Sequence, residues 1–184
     1  GWSGEISYEL YLRNHKLGNQ LWEIVREAGL EFNITPIAPN AIRSIEGGLL
    51  SYASDILRED TPFSIGLNRL VDTNQSVEFI GKAALKKIEE EGTKRKLVGI
   101  VVEGNPIKSP PEQFWPVLDN DLKIGHVSRC IYSPRLDKNI GFANVPTEFS
   151  DTDMTFSVST PDGDKMATVC KWPWFPAERI NKKT

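Results

Sequence analysis

Hydrophobic and polar positions along this chain follow three rhythms in turn. Over residues 6–12 they alternate, Ile6, Tyr8, Leu10 and Leu12 against Ser7, Glu9 and Tyr11, the period-two pattern of a half-buried strand. Leu17, Leu21, Ile24, Val25 and Ala28 then fall at helical spacing, and Gly29 stands where a helix C-cap belongs. A second, shorter helix is predicted over 39–46, with Pro39 near its first turn and Gly47-Gly48 ending it. A third is predicted over 81–90, amphipathic through Ala84, Leu85 and Ile88 and stopped near Gly92.

After Arg95 the pattern shortens. Residues 97–102, 123–130, 140–145, 155–159 and 166–171 are β-type runs, separated by turn residues such as Gly104-Asn105-Pro106, Asp119-Asn120-Asp121, Ser133-Pro134 and Pro161-Asp162-Gly163-Asp164. Short strands at this spacing with no helix between them predict a small sheet closed as a barrel or packed as a sandwich. The fold class read from the chain is therefore α+β. The charge-rich stretch 86–96 is the domain boundary, giving one unit over 1–93 and a β-unit over 94–184.

Composition narrows the function classes. With 26% charged and 39% hydrophobic residues in 184, the chain reads as a folded globular protein. A net charge of −3 gives no electrostatic basis for a nucleic-acid partner. No apolar run approaches the ~20 residues that cross a bilayer. Cys130 and Cys170, both in β-type runs, are expected as free buried thiols, and His15 and His126 have no ligand-spaced neighbours, so no metal site is expected. Cysteine usage points to a cytoplasmic setting. The glycine-punctuated opening without a Met reads as the second half of a longer protein.

No phosphate-cradling loop, dinucleotide fingerprint or nucleophile elbow is present. The remaining candidates are polar residues beside aromatic ones. Glu9, flanked by Trp2, Tyr8 and Tyr11, reads either as a solvated strand carboxylate or as an acceptor for paired N–H donors of a flat heterocycle. Arg43 and Glu46 read as an i, i+3 helix pair, and Asn40 as a cap or a ligand contact. Asp55 reads as a turn residue, and Arg129, Arg135 and Lys138 as a solvated basic loop. Trp172, Trp174 and Phe175, interleaved with Pro173 and Pro176, cannot extend a ladder and are expected to lie across a surface or to lid a pocket.

In order, these segments resemble the glycine cleavage T-protein (aminomethyltransferase) family. Gly1-Trp2-Ser3-Gly4-Glu5 through Tyr8-Glu9-Leu10 is similar to that family's Gly-Tyr-Thr-Gly-Glu-Asp-Gly-x-Glu strand. Residues 42–56 are similar to its Leu-Arg-Leu-Glu-Ala-Gly…Tyr-Gly-x-Asp helix and loop, and Phe79-Ile80-Gly81-Lys82-Ala83-Ala84-Leu85 to its Phe-Ile-Gly-Lys-x-Ala-Leu. Gly125-His126-Val127-Ser128 and Ser133-Pro134-Arg135-Leu136 are similar to its Gly-x-Val-Thr-Ser and Ser-Pro-x-Leu signatures.

The resemblance implies the C-terminal half of a three-lobed fold, an α+β folate-binding part followed by a small antiparallel β-barrel. It implies tetrahydrofolate as cofactor, with Trp2, Glu9, Asn40 and Arg179 at the folate and Tyr8 and Arg43 at a substrate pocket. No catalytic residue is expected in this half, because the family's catalytic aspartate lies in the other, the implied partner. Trp2 and Asn40 stand where the T-protein pattern has Tyr and Arg, which is more like the dimethylsulfoniopropionate demethylase branch. The implied one-carbon donor is a small sulfonium or amine, the latter with a lipoyl carrier protein. The alternative is a non-catalytic folate-binding or regulatory protein of the same fold.

Overall fold

A computed structural model describes residues 7–38 and 40–175. Its centre is a closed barrel of six antiparallel strands: β1 (Arg95–Val102), β2 (Trp115–Asp119), β3 (Leu122–Ser133), β4 (Lys138–Pro146), β5 (Thr155–Thr160) and β6 (Gly163–Cys170). They run in the order β1-β4-β3-β2-β5-β6, and β6 returns to β1. Alternation sends Val98, Ile100 and Val102 of β1 inward to meet Val117, Val127, Ala143, Phe156, Val158 and Val169 in one buried core. Asn120 and Asp121, at φ 46° and 66°, form the tight turn between β2 and β3, both residues left-handed as the hairpin twist prefers. Strand β2 escaped the sequence pattern because Pro116 interrupts it, yet Val117 and Leu118 still pair with β5.

The outer face of β1, β3 and β4 is buried too. Leu97, Ile131, Ile140 and Phe142 pack with Ile45 and Ile65, which come from the chain before the barrel. The helices there are α1 (Gly18–Gly29), α2 (Ala41–Glu46) and α3 (Lys82–Glu91), and α2 lies on β3 and β4. None is long and apolar enough to cross a membrane. Helix α3 starts after Gly81 and stops at Gly92 as its spacing predicts. Gly29 stays right-handed, so α1 continues into a short 3-10 turn until Asn33, at φ 54°, takes the left-handed position. Asn tolerates that region better than most residues.

The described part of the aromatic-proline tail, residues 172–175, lies across a surface. Trp172 meets the Phe142 ring edge-on at 5.2 Å, and Trp174 tilts against the same ring at 5.7 Å. Glycines make room for the Trp172 indole. A Cβ on Gly99 of β1 would stand 2.8 Å from its Cδ1, and one on Gly48 would stand 3.0 Å from its Cε3. Gly48 also needs φ 68°, so a side chain there would be strained as well as crowded. One indole thus touches the barrel and the segment after α2.

The expected strand over 6–12 is not formed in its described part. Residues 7–12 carry no ladder, and Tyr8 is 87% exposed. A strand needs a neighbour to satisfy its backbone groups, and no described strand offers an edge here, because the barrel is closed on itself.

Truncating Trp172 to Ala should cost about 3 kcal/mol of stability, the lower end for a large aromatic because the indole is only partly buried. Gly99→Val should be comparably destabilising by displacing the same ring. Urea denaturation followed by circular dichroism checks both, and wild-type midpoints would contradict the seat described.

Candidate functional site

Helix α2 carries two of the residues nominated from sequence, so what holds it matters first. Asn40 caps it: its Oδ1 accepts the Ile42 N–H at 2.8 Å, one of the free donors of a first turn. At the other end Glu46 is buried. Its Oε1 accepts the Ser133 hydroxyl at 2.6 Å, and its Oε2 lies 3.3 Å from Arg135 Nη1 and 3.6 Å from Arg43 Nη1. The Arg135 guanidinium sits 3.8 Å over the Phe175 ring, while the Phe175 N–H donates to the Glu46 carbonyl at 3.0 Å. The i, i+3 reading of Arg43 and Glu46 holds, but the pair belongs to a larger cluster joining α2 to the β3–β4 turn and the tail.

A second clamp lies beside it. Arg129 was expected in a solvated loop; it is 8% exposed, and it reaches Asp55, which is also buried. Arg129 Nε donates to Asp55 Oδ1 at 2.9 Å and Nη2 pairs with Oδ2 at 2.5 Å. Nη1 reaches Ser44 Oγ at 3.0 Å, and Nη2 the Leu49 carbonyl at 2.6 Å. The Ser128 hydroxyl and the Ser51 N–H complete the Asp55 carboxylate at 2.7 and 2.9 Å. The reason is a bulge in β3, where the pairing with β4 skips from Val127 to Arg129. Were the same residues paired without a bulge, Arg129 would share Val127's face and point into the barrel; with the bulge, Cys130 faces inward and Arg129 outward.

The structure thus puts Asn40 and Arg43 on one anchored helix. Tyr8 and Glu9 lie in the exposed segment before α1, where the Tyr11 hydroxyl donates to Glu9 Oε2. That bond raises the Tyr11 phenol above its ordinary value. Trp2, Pro39 and Arg179 lie outside the described residues. Sequence reasoning missed the roles of Glu46, Asp55 and Arg129; the one usable signal was Ser128, a polar residue breaking the alternation between Val127 and Cys130.

Other reactive groups are quiet. Both cysteines are free; burial raises Cys130 to about 12 and Cys170 to about 11, so both remain thiols at neutral pH. Cys170 is only partly buried, less than expected. Among the described residues no group of His, Cys, Asp and Glu could hold a metal ion. His126 stacks on Phe114 at 4.5 Å and lines a groove of about 440 Å³ with Arg95 and Asp60. Burial lowers its basicity, and the Arg95 and Lys123 charges add to the effect.

Residues 1–75 match the GCVT N-terminal domain, and residues 95–176 match the glycine cleavage T-protein C-terminal barrel domain. The dimethylsulfoniopropionate demethylase DmdA of Ruegeria pomeroyi is 34% identical over 175 residues, which are 95% of this chain and 47% of that protein. An aminomethyltransferase of a Geobacillus species is 37% identical over 177 residues, 95% of this chain and 48% of its own. The chain therefore spans about half the length of these curated relatives. The crystal structure of the glycine cleavage system aminomethyltransferase T from Bartonella henselae shares the fold. Its TM-score is 0.66 at 21% identity, covering 74% of this chain and 38% of that one.

Two outcomes are expected. Arg129→Met leaves the Asp55 charge buried and unpaired, so it should cost about 3–5 kcal/mol, whereas adding Asp55→Leu should recover most of the loss; a double-mutant cycle by urea denaturation tests this. For His126, the unfolded chain binds a proton more tightly than the folded one, so stability is lost as pH falls below the ordinary value near ~6.5 and through the lowered one. His126→Gln should therefore lose less stability than wild type between pH 7 and 5, and equal losses would contradict the burial effect.

Proposed function

Because the chain belongs to the glycine cleavage T-protein family, we propose that it supplies part of the tetrahydrofolate site of a one-carbon transferase that moves a methyl or aminomethyl group. The observation that carries this reading is the pair of family matches, in family order, over residues 1–75 and 95–176. Residues 1–93 form the later part of the folate-binding domain and 94–184 the barrel domain. The catalytic carboxylate lies in the half of the family fold that this chain does not span, and turnover needs both halves in a cytoplasmic enzyme.

The donor set of the exposed segment fits a pterin. Glu9 presents a carboxylate whose recorded partner is the Tyr11 hydroxyl, a neutral donor that a heterocycle with adjacent N–H groups can displace. The Tyr8 and Tyr11 rings are exposed beside it, as faces for stacking. Tetrahydrofolate, when bound, would supply the acceptor for the one-carbon unit. Of this chain's residues, Glu9 would read the pterin edge, with Trp2, Asn40 and Arg179 as the further folate contacts, and Tyr8 and Arg43 would line the substrate pocket. Fixing donor and acceptor together supplies most of the rate in such a transfer.

The donor is a small cation, a sulfonium or an amine. Trp2 and Asn40 stand where the T-protein pattern has Tyr and Arg, and an aromatic wall attracts such a cation through its face. An arginine at ~5 Å would repel it by about 3 kcal/mol at an effective dielectric of ~20. Glycine-cleavage chemistry would instead add a lipoyl carrier protein as partner. Assays with dimethylsulfoniopropionate, dimethylglycine and an aminomethyl-lipoyl carrier separate these donors.

In the protein carrying both halves, Glu9→Gln should weaken tetrahydrofolate binding by about ten- to a hundred-fold, the range for losing a charge-assisted contact. Calorimetry reads this directly, and unchanged affinity would remove Glu9 from the site.

A further inference from the structure

The groove beside His126 holds two opposite charges that do not meet. Arg95, at the start of β1, and Asp60, in the loop over 57–64, both line it and are both half-buried. Arg95 is drawn to the barrel wall. Its Nε donates to Asn144 Oδ1 at 2.6 Å, Nη2 to the Asn144 carbonyl at 2.8 Å and Nη1 to the Ile124 carbonyl at 3.0 Å. Asp60 is drawn into its own loop, where Oδ2 accepts the Leu57 N–H at 2.8 Å and Oδ1 the Ser64 hydroxyl at 3.3 Å. Among the described residues each charge therefore has only neutral partners. Both still act on the His126 ring: burial lowers its basicity, Arg95 lowers it further, and Asp60 raises it. The carbonyl bonds leave part of the guanidinium fork open, and the Asp60 carboxylate keeps lone pairs beyond its two bonds. A half-buried charge so placed is completed by a group of opposite sign.

We infer that this groove, between the barrel and the end of α3, binds an α-amino acid with an aliphatic side chain. The carboxylate takes the open side of Arg95 in charge-assisted hydrogen bonds, and the ammonium takes Asp60. The side chain lies on Leu57 and Ile88, half-buried apolar residues of the same lining. The charge pattern selects a zwitterion. A bare anion would face Asp60 and Glu59 across the groove, and a bare cation would face Arg95 and Lys94. At about 440 Å³ the groove has the size of a small-molecule site. Neither Glu9, Asn40 nor Arg43 lines it, so the inference does not rest on the folate reading. The loop that the ligand holds follows directly on Asp55, the partner of Arg129, so an occupant braces the segment behind α2.

The test titrates leucine into the intact protein by calorimetry, beside two compounds of its shape. One is 4-methylpentanoate, which lacks the ammonium; the other is 3-methylbutylamine, which lacks the carboxylate. Leucine should bind more tightly than either by about tenfold or more, the range for losing a charge-assisted contact. On binding, hydrogen exchange should slow at amides of 57–64 and 88–95. Arg95→Lys, which keeps the charge but not the fork, and Asp60→Asn should each weaken leucine by about tenfold. Lys108→Met, at a residue of a different groove, should leave its affinity unchanged. Arg95 also joins β1 to β3 and β4, so circular dichroism accompanies each variant. The three-compound comparison uses the unaltered protein and decides the matter even where a variant does not fold. Absence of leucine binding, equal affinity for either compound lacking a charge, or protection confined to 7–12 and 41–46 would each overturn the inference.

Discussion

A buried guanidinium has to be answered on every side, and Arg129 is answered by the chain segments that precede the barrel. Its fork closes on Asp55, and its remaining donors reach Ser44 and the Leu49 carbonyl. Taking both charges out of water is costly, so the arrangement persists only while all of these partners stand in place. Ser44 fixes α2, and Leu49 and Asp55 fix the loop behind it. This one buried charge on β3 thereby sets the position of the helix that carries Asn40 and Arg43. Among the described residues no buried side-chain polar atom lacks a partner, so the polar joint is complete.

The bulge at Ser128 lets one strand serve two purposes. Before it, Val127 fills the barrel; after it, Cys130 does so and Arg129 and Ile131 turn outward. A strict two-residue period would have buried a charge among valines. The second core, from Ile45 and Ile65 to Phe142, forms on this outward side, so barrel and helices share apolar surface as well as the polar clamps.

Legibility in the sequence followed how local each cause was. The barrel strands with clean alternation were readable, as were α1, α3 and the turns at Asn120-Asp121 and Gly163. Strand β2 was hidden by Pro116, and Arg129 looked solvated because an extra residue in a ladder has no signature of its own. Asp55 and Glu46 looked like turn and helix-surface acids, since their partners lie 74 and 87 residues away. The segment 7–12 has the composition of a strand but lacks an edge to join, which no pattern within the segment reveals. Of the candidate site, Asn40 and Arg43 were placed on the correct helix, while the clamps that hold them came only from tertiary contacts.

The Trp172 seat carries a consequence for the order in which the molecule is made. The indole follows β6, the last strand of the barrel, yet it wedges beside Gly48, in the segment behind α2. Chains emerge from the ribosome amino end first, at roughly 5–20 residues per second. Helix α2 is therefore synthesised well before its floor on β3 and β4, and longer still before the ring that wedges behind it. Its docking awaits the β3–β4 pair, and its seat is completed only after translation has passed residue 172.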